Sequence, residues 1–288
     1  MGYLKISNLY ADHRILRFRQ CYAMEKIHGT SASVAWRGDH VWLSSGGESA
    51  TRFATLFDPV ALAAVFRELG YAEVTVYGEA YGGKQQQQAW RYGAALKFAA
   101  FDVQCDGRWL DVPSAEALAR KLGLEFVHYA VVNTDVATLD AERDAPSVQA
   151  TRNGVDGTHP REGVVLRPLI EVIDAYGDRV IAKHKRDDER ETATPRKVVD
   201  PSQLTVLADA AAIAEEWVTV TRLGHVLQKL PQGIGLAQTR DVIAAMVNDV
   251  IIEAKGEIVD SKEARAAIGK KAASMFHARI KKVEGEGR

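Results

Sequence analysis

Through the first two-thirds of the chain, apolar and polar residues alternate in short runs bounded by turn residues, the period of half-buried strands. Residues 31–36 and 41–44 flank Arg37-Gly38-Asp39-His40, which predicts a hairpin. Asp58-Pro59 opens a helix with Val60, Leu62, Ala63, Phe66 and Leu69 apolar, and Gly70 ends it. Residues 73–77, 96–103, 164–167 and 179–185 predict strands, and residues 114–122 a helix behind Pro113 and closed by Gly123. The glutamine run at 85–88 reads as a loop. After Pro195 the period changes. Residues 206–218, 220–230, 239–254 and 261–282 are alanine-rich or apolar at helical spacing, with Pro231-Gln232-Gly233 as a break. The expected class is α+β: a larger strand-dominated domain over 1–195, then a small all-α domain over 196–288.

Composition narrows the class further. The 288 residues are 47% hydrophobic and 26% charged, with a mean hydropathy of -0.17, which suits a globular chain with a substantial core. No apolar run reaches the ~18–20 residues of a membrane span, and the first ten residues lack the apolar stretch of a signal peptide. Cys21 and Cys105 are too few for a disulfide framework or a zinc site. A cytoplasmic protein with reduced thiols and no membrane partner is expected. With a net charge of -1, any phosphate-binding surface must be local. Arg179, Lys183, Lys185, Arg186, Arg190, Arg196 and Lys197 form one basic stretch. Lys262, Arg265, Lys270, Lys271, Arg279, Lys281 and Lys282 form another.

Candidate chemistry begins at Glu25-Lys26-Ile27-His28-Gly29-Thr30. Lys-x-x-Gly alone is a chance pattern, and a surface lysine entering a turn accounts for it. A neutral lysine amine can also attack phosphorus, and a neighbouring glycine permits close approach. Four later segments supply what such a nucleophile needs. Glu79 lies among glycines at a strand end, Phe98 and Phe101 share an apolar strand, and Glu162 stands where another strand begins. Lys183 and Lys185 alternate onto one strand face, where their mutual repulsion makes sense around an anion. Each has a plainer use: a solvated carboxylate, a core aromatic, lysines guarding an edge strand. Five such motifs in this order are far more specific than any one.

The order resembles the covalent nucleotidyltransferase superfamily of polynucleotide ligases and capping enzymes, and more closely its RNA ligase 2-like family. The segments carrying the resemblance are Glu25 through Thr30, Phe98-Ala99-Ala100-Phe101-Asp102, Glu162-Gly163-Val164-Val165-Leu166-Arg167-Pro168 and Lys183-His184-Lys185. The resemblance implies a nucleotidyltransferase domain built on antiparallel sheets with flanking helices. It implies an ATP-dependent RNA ligase that carries AMP on Lys26, using Mg²⁺ or Mn²⁺. Its substrate would be RNA with 5′-phosphate and 3′-hydroxyl ends, in duplex or bridged form, with no obligatory protein partner. Glu25 and Ile27 would lie near the adenine, Gly29 beside the nucleotide, and Phe101 stacked on the base. Glu79 would hold ribose or metal-bound water, Glu162 would position the metal through water, and Lys183 and Lys185 would contact phosphate. His28 would serve catalysis at an unassigned step. The family's arginine after the nucleophile hairpin is replaced by Ser44-Ser45-Gly46-Gly47-Glu48, leaving Arg52 as the nearest substitute.

Two rivals remain at this level. A DNA ligase or capping enzyme would append an OB-fold, read as short strands and glycine turns, where this tail reads as helical. A catalytically inactive RNA-end binding module would not need the lysines and carboxylates that this chain retains.

Overall fold

The structure, a computed structural model, describes residues 2–83, 89–189, 191–194, 208–231 and 233–286, the last five of them by backbone alone. The glutamine run, Arg190, Arg196, Lys197, the expected domain boundary and the start of the first tail helix lie outside these residues. The chain divides into two compact units, Met1–Arg186 and Asp187–Arg288.

The first unit opens with β1 (Ser7–Asn8), β2 (Gln20–Lys26), β3 (Gly29–Arg37) and β4 (His40–Ser45), followed by α1 (Ala50–Ala54), α2 (Pro59–Leu69) and β5 (Glu73–Tyr81). Then come β6 (Lys97–Cys105), β7 (Arg108–Trp109), α3 (Val112–Lys121), β8 (Glu125–Phe126) and β9 (Tyr129–Asn133). Helices α4 (Val136–Asp144) and α5 (Val148–Arg152) and strands β10 (Gly163–Pro168) and β11 (Ala182–Lys185) complete it. One sheet has the order β1-β11-β10-β2-β9, the other β4-β3-β5-β6-β7 with β8 against β6. Pairing is antiparallel apart from the short β1–β11 and β6–β8 contacts.

Local chemistry accounts for most boundaries. Gly38 and Asp39 turn β3 into β4 at φ 53° and 62°, the backbone hand that matches strand twist. The Asp58 carboxylate accepts from the amides of Val60 and Ala61, capping α2 as expected, and Asp111 caps α3 by accepting from Ser114. Strand β5 runs four residues beyond its expected end at Tyr77. Gly78, which reads as a stop, instead marks a register shift against β6. Tyr77 pairs with Asp102 and Gly78 with Ala100, so Phe101 is the extra, bulged residue. Strand β11 is shorter than expected, because the backbone of Arg179 and Val180 pairs instead with Ile173 and Val172. Residues 129–152, left undivided by the pattern, form β9, α4 and α5. Their runs are short, and Asp135 and Ser147 cap the two helices.

The core of this unit joins Met24, Val34, Trp36, Phe53, Phe66, Val76, Val103, Leu118 and Phe126. A buried carboxylate links the two sheets. Asp102 on β6 accepts from Arg167 Nη1 at 2.9 Å on Oδ1 and from Arg179 Nη1 at 2.6 Å on Oδ2, where Tyr3 Oη also donates at 2.7 Å. Glu171 completes the charge balance, 2.6 Å from Arg167 and 2.5 Å from Arg179. The Arg179 guanidinium also lies 4.0 Å from the Trp109 ring centroid.

The second unit contains α6 (Ala210–Trp217), α7 (Val220–Gln228), α8 (Thr239–Glu253) and α9 (Lys262–Glu286), and no strand among its described residues. Its own core includes Ile213, Trp217, Leu223, Val242, Met246, Ile268 and Phe276. Arg222 is buried there against Asp249 at 2.6 Å and Glu191 at 3.5 Å.

Removing one partner from a buried charge network leaves the others uncompensated. Asp102→Ala is expected to lower stability by ~3–5 kcal/mol in urea unfolding. Asp58→Ala, which removes only a surface helix cap, should cost about 1 kcal/mol. Equal losses in the two variants would remove Asp102 from its place between the sheets.

Candidate active site

Strand alternation builds the site. Across the first sheet, Lys26 on β2 pairs with Gly163 on β10, which pairs with Lys185 on β11. Two residues further along, Met24, Val165 and Lys183 form the next row. Because side chains alternate, Lys26, Lys183 and Lys185 stand on one face. Glu25 and His184 stand on the other, in one row with Val164. Lys26 is the last residue of β2, and Ile27-His28 alone connects it to β3.

Glu162 organises the front of this sheet. Lys26 Nζ donates to its Oε2 at 2.9 Å, and Lys185 Nζ lies 3.0 Å from Oε1. His28 Nδ1 is 3.9 Å from the same carboxylate. Gly163 makes this approach possible: at φ 153°, a Cβ there would stand 2.2 Å from His184 O and 2.8 Å from Lys185 Cα. Gly29 does the same on the other sheet, where a Cβ would stand 2.4 Å from Ala80 O and 2.9 Å from Glu79 Cγ. The glycine after the lysine thus lets β5 bring Glu79 near Lys26. Burial pushes the Glu79 carboxyl up to about 7, aided by Glu162 and opposed by Lys26, His28 and the Gly29 amide.

Other expected site residues lie apart from this cluster. The Glu25 carboxylate faces the N-terminus of α5, accepting from Ser147 Oγ at 2.5 Å, Val148 N at 3.0 Å and Gln149 N at 3.2 Å. Ile27 is buried in the core. Phe98 is buried against Phe53 and Phe57, while the bulge leaves Phe101 half-buried with Tyr3 edge-on at 4.9 Å. Arg52, on α1, pairs with Glu48 at 3.2 Å and reaches the backbone of Gly83 beyond β5.

Several residues that hold the site were missed by the sequence reading. His184 Nε2 lies 2.7 Å from Asp140 Oδ1 on α4, and Arg143 braces the same carboxylate at 2.8 Å. Burial and the Arg143 charge lower the His184 pKa despite Asp140. The buried Tyr92 hydroxyl accepts from His28 N at 3.2 Å, fixing the connection after Lys26. Asp135 and Ser147 carried the available signal, as capping residues ahead of helices. Among the described residues no group of three or more His, Cys, Asp or Glu could hold a metal by itself. Glu79 and Glu162 fit a divalent cation that keeps most of its waters.

The Glu79 carboxyl sets a pH dependence. With a folded value near 7 against an ordinary 4.5, the folded state keeps the proton longer, so stability falls as pH rises through that window and levels off above it. Glu79→Gln should remove this slope. In nucleotide-free protein its stability advantage over wild type should grow by ~2–3 kcal/mol from the lower to the upper end of the window. A pH-independent difference in urea unfolding would place Glu79 in contact with solvent.

Comparison with known proteins agrees with this arrangement. A search among curated proteins gave no match. Solved structures of Naegleria gruberi RNA ligase resemble the chain: one with PPi, a mutant with ATP and Mn, and another mutant with AMP and Mn. Each is 16% identical, with a TM-score of 0.51 over 65% of this chain. The match spans 56–57% of those ligase chains, and at this identity it shows a shared fold. The RNA ligase family model matches residues 19–185, more than half of the sequence and the whole span from β2 to β11. With Lys26, Glu79, Glu162, Lys183 and Lys185 inside that span, the chain belongs to the RNA ligase family.

Proposed function

We propose that the protein is an ATP-dependent RNA ligase that works through AMP bound covalently to Lys26. The observation that carries this reading is the presentation of Lys26, Lys183 and Lys185 on one sheet face, with Lys26 and Lys185 on the buried Glu162 carboxylate. Lys26 and Lys185 share the Glu162 carboxylate there, and three cationic side chains on one face suit a ligand that carries several negative oxygens. A polyphosphate is the partner that such a face suits.

The reaction proceeds in three transfers. The neutral amine of Lys26 attacks the α-phosphorus of ATP; a P–N bond forms, the bond to the bridging oxygen breaks, and pyrophosphate leaves. An oxygen of an RNA 5′-phosphate then attacks the lysine-bound phosphorus, releasing the amine and giving a 5′–5′ anhydride. A 3′-hydroxyl finally attacks the activated 5′-phosphate, forming the phosphodiester and releasing AMP. Little covalent chemistry falls to the side chains beyond Lys26, so positioning and charge complementarity provide most of the acceleration. Lys183 and Lys185 hold phosphate oxygens, and Glu162 keeps Lys26 and Lys185 in register before nucleotide enters. Phe101 offers the adenine an aromatic face, with Tyr3 at its edge. Gly29 and Tyr92 fix the turn that carries His28, and Arg52 lies beyond β5 as a candidate for the RNA 5′-phosphate. A bound Mg²⁺ or Mn²⁺, held through water by Glu79 and Glu162, would neutralise phosphate charge. Nicks in duplex RNA are the proposed substrate.

Protein stripped of bound AMP with pyrophosphate, then mixed with α-labelled ATP and Mg²⁺ or Mn²⁺, should retain label after denaturation. Lys26→Ala should retain none, and Lys183→Ala and Lys185→Ala should slow labelling by ~10²-fold. Wild-type protein that takes no label with either metal would overturn the reading. Label kept by Lys26→Ala would move the nucleophile elsewhere. Sealing of nicked DNA but not nicked RNA by the labelled enzyme would correct the substrate.

A further inference from the structure

The turn between β5 and β6 buries one aromatic and exposes another. Residues Ala89–Tyr92 form a single tight 3₁₀ turn. Tyr92 points inward to His28, at 1% exposure, while Trp90 points outward at 62%. The turn is braced on several sides. Asn153 Nδ2 donates to Tyr92 O at 3.0 Å, and Gly83 N donates to Gly93 O at 3.0 Å. Trp90 is therefore an exposed indole on a fixed support, where an exposed aromatic of this size gains nothing from folding.

Its surroundings are cationic and polar. The Arg91 guanidinium lies 5.8 Å from the indole centroid, and the His159 ring meets the indole edge-on at 5.4 Å. His159 is itself held by a hydrogen bond between Nε2 and Asp156 O at 2.8 Å. Both supports lead straight to the candidate site. Tyr92 contacts the connection after Lys26, and His159 stands three residues before Glu162. Arg52 lies against Gly83, at the other end of the same connection, with its side chain about half exposed. An exposed flat aromatic, on the turn whose Tyr92 holds His28 and on the connection whose start meets the half-exposed Arg52, matches what a single-stranded nucleic acid requires: stacking for the base and positive charge for the backbone.

We propose that Trp90 is the stacking platform for a terminal base that frays from its pair at the RNA end brought to Lys26. This deepens the ligase reading and rests on it for the identity of the ligand. Stacking carries no hydrogen-bond code, so the platform would accept any base and recognise an end by its freedom to unstack. Rigid support matters here, because an indole already held in place loses little conformational entropy when the base arrives.

The test measures binding of a fluorescently labelled, 5′-phosphorylated RNA with an unpaired end to the full chain, across a range of salt concentrations. Trp90→Ala should weaken binding about 5- to 100-fold, the effect of losing one stacked base. Trp90→Phe should recover most of that. The salt dependence should keep its slope, since no phosphate contact is lost. With an RNA abasic at its terminal residue, wild type and Trp90→Ala should bind alike. Unchanged affinity in Trp90→Ala, or an equal loss on intact and abasic RNA, would overturn the platform. Labelling by ATP, which involves no RNA, separates the remaining possibilities. A raised KM for ATP in Trp90→Ala would assign the indole to the nucleotide, and a loss of labelling would make it a support of the nucleophile turn; either result overturns the proposal. Should wild-type protein take no label while Trp90→Ala still loses RNA affinity, the ligase reading fails and the platform stands.

Discussion

Glu162 accepts from two ammonium groups that arrive from different strands, Lys26 on β2 and Lys185 on β11, and the site depends on that shared carboxylate. Three cationic side chains on one face would push those strands' side chains apart in a medium of low dielectric. A buried anion between two of them reverses the sign of the interaction. The arrangement needs β10 and β11 unusually close at one point, where Gly163 lacks the Cβ that would meet the His184 carbonyl. A glycine after the carboxylate is therefore part of the electrostatics, since it sets how near the two lysines come to their anion.

The two faces of the same sheet divide the labour. On the front are the amines of Lys26, Lys183 and Lys185. On the back, Glu25 and His184 are fastened to α5 and α4 by charged and capping hydrogen bonds. Neighbours in sequence thus serve opposite ends: Glu25 anchors the strand that ends in Lys26, and His184 anchors the strand that carries Lys183 and Lys185. Anchoring by hydrogen bonds in a dry interior holds a strand more tightly than apolar packing alone, because a displaced carboxylate or imidazole would be left unsatisfied.

The second sheet contributes through irregularity. The bulge at Phe101 sets that ring off the regular pairing while Asp102, next to it, ties β6 to Arg167 and Arg179 in the first unit's interior. The same short stretch therefore supplies an aromatic surface and the charged link between sheets. Likewise Gly29 brings β5 close enough for Glu79 to share the electrostatics of Lys26 and Glu162.

Alternation and turn chemistry are local, so the sequence alone determined the hairpin at Gly38-Asp39, helix α2, the strands of the motif segments and the common face of Lys183 and Lys185. The order of those segments also carried the family, which the match over residues 19–185 bears out. What it could not carry is pairing over long separations. Glu25 meets Ser147, more than a hundred residues away, and that contact exists only once β2 and α5 have packed. The sequence therefore showed Glu25 without these partners, and Asp140, Ser147 and Tyr92 did not read as site residues at all. The meaning of Gly29 likewise shifted from room for a ligand to room for a neighbouring strand, because a sequence shows that space is needed there and only the folded chain shows what fills it.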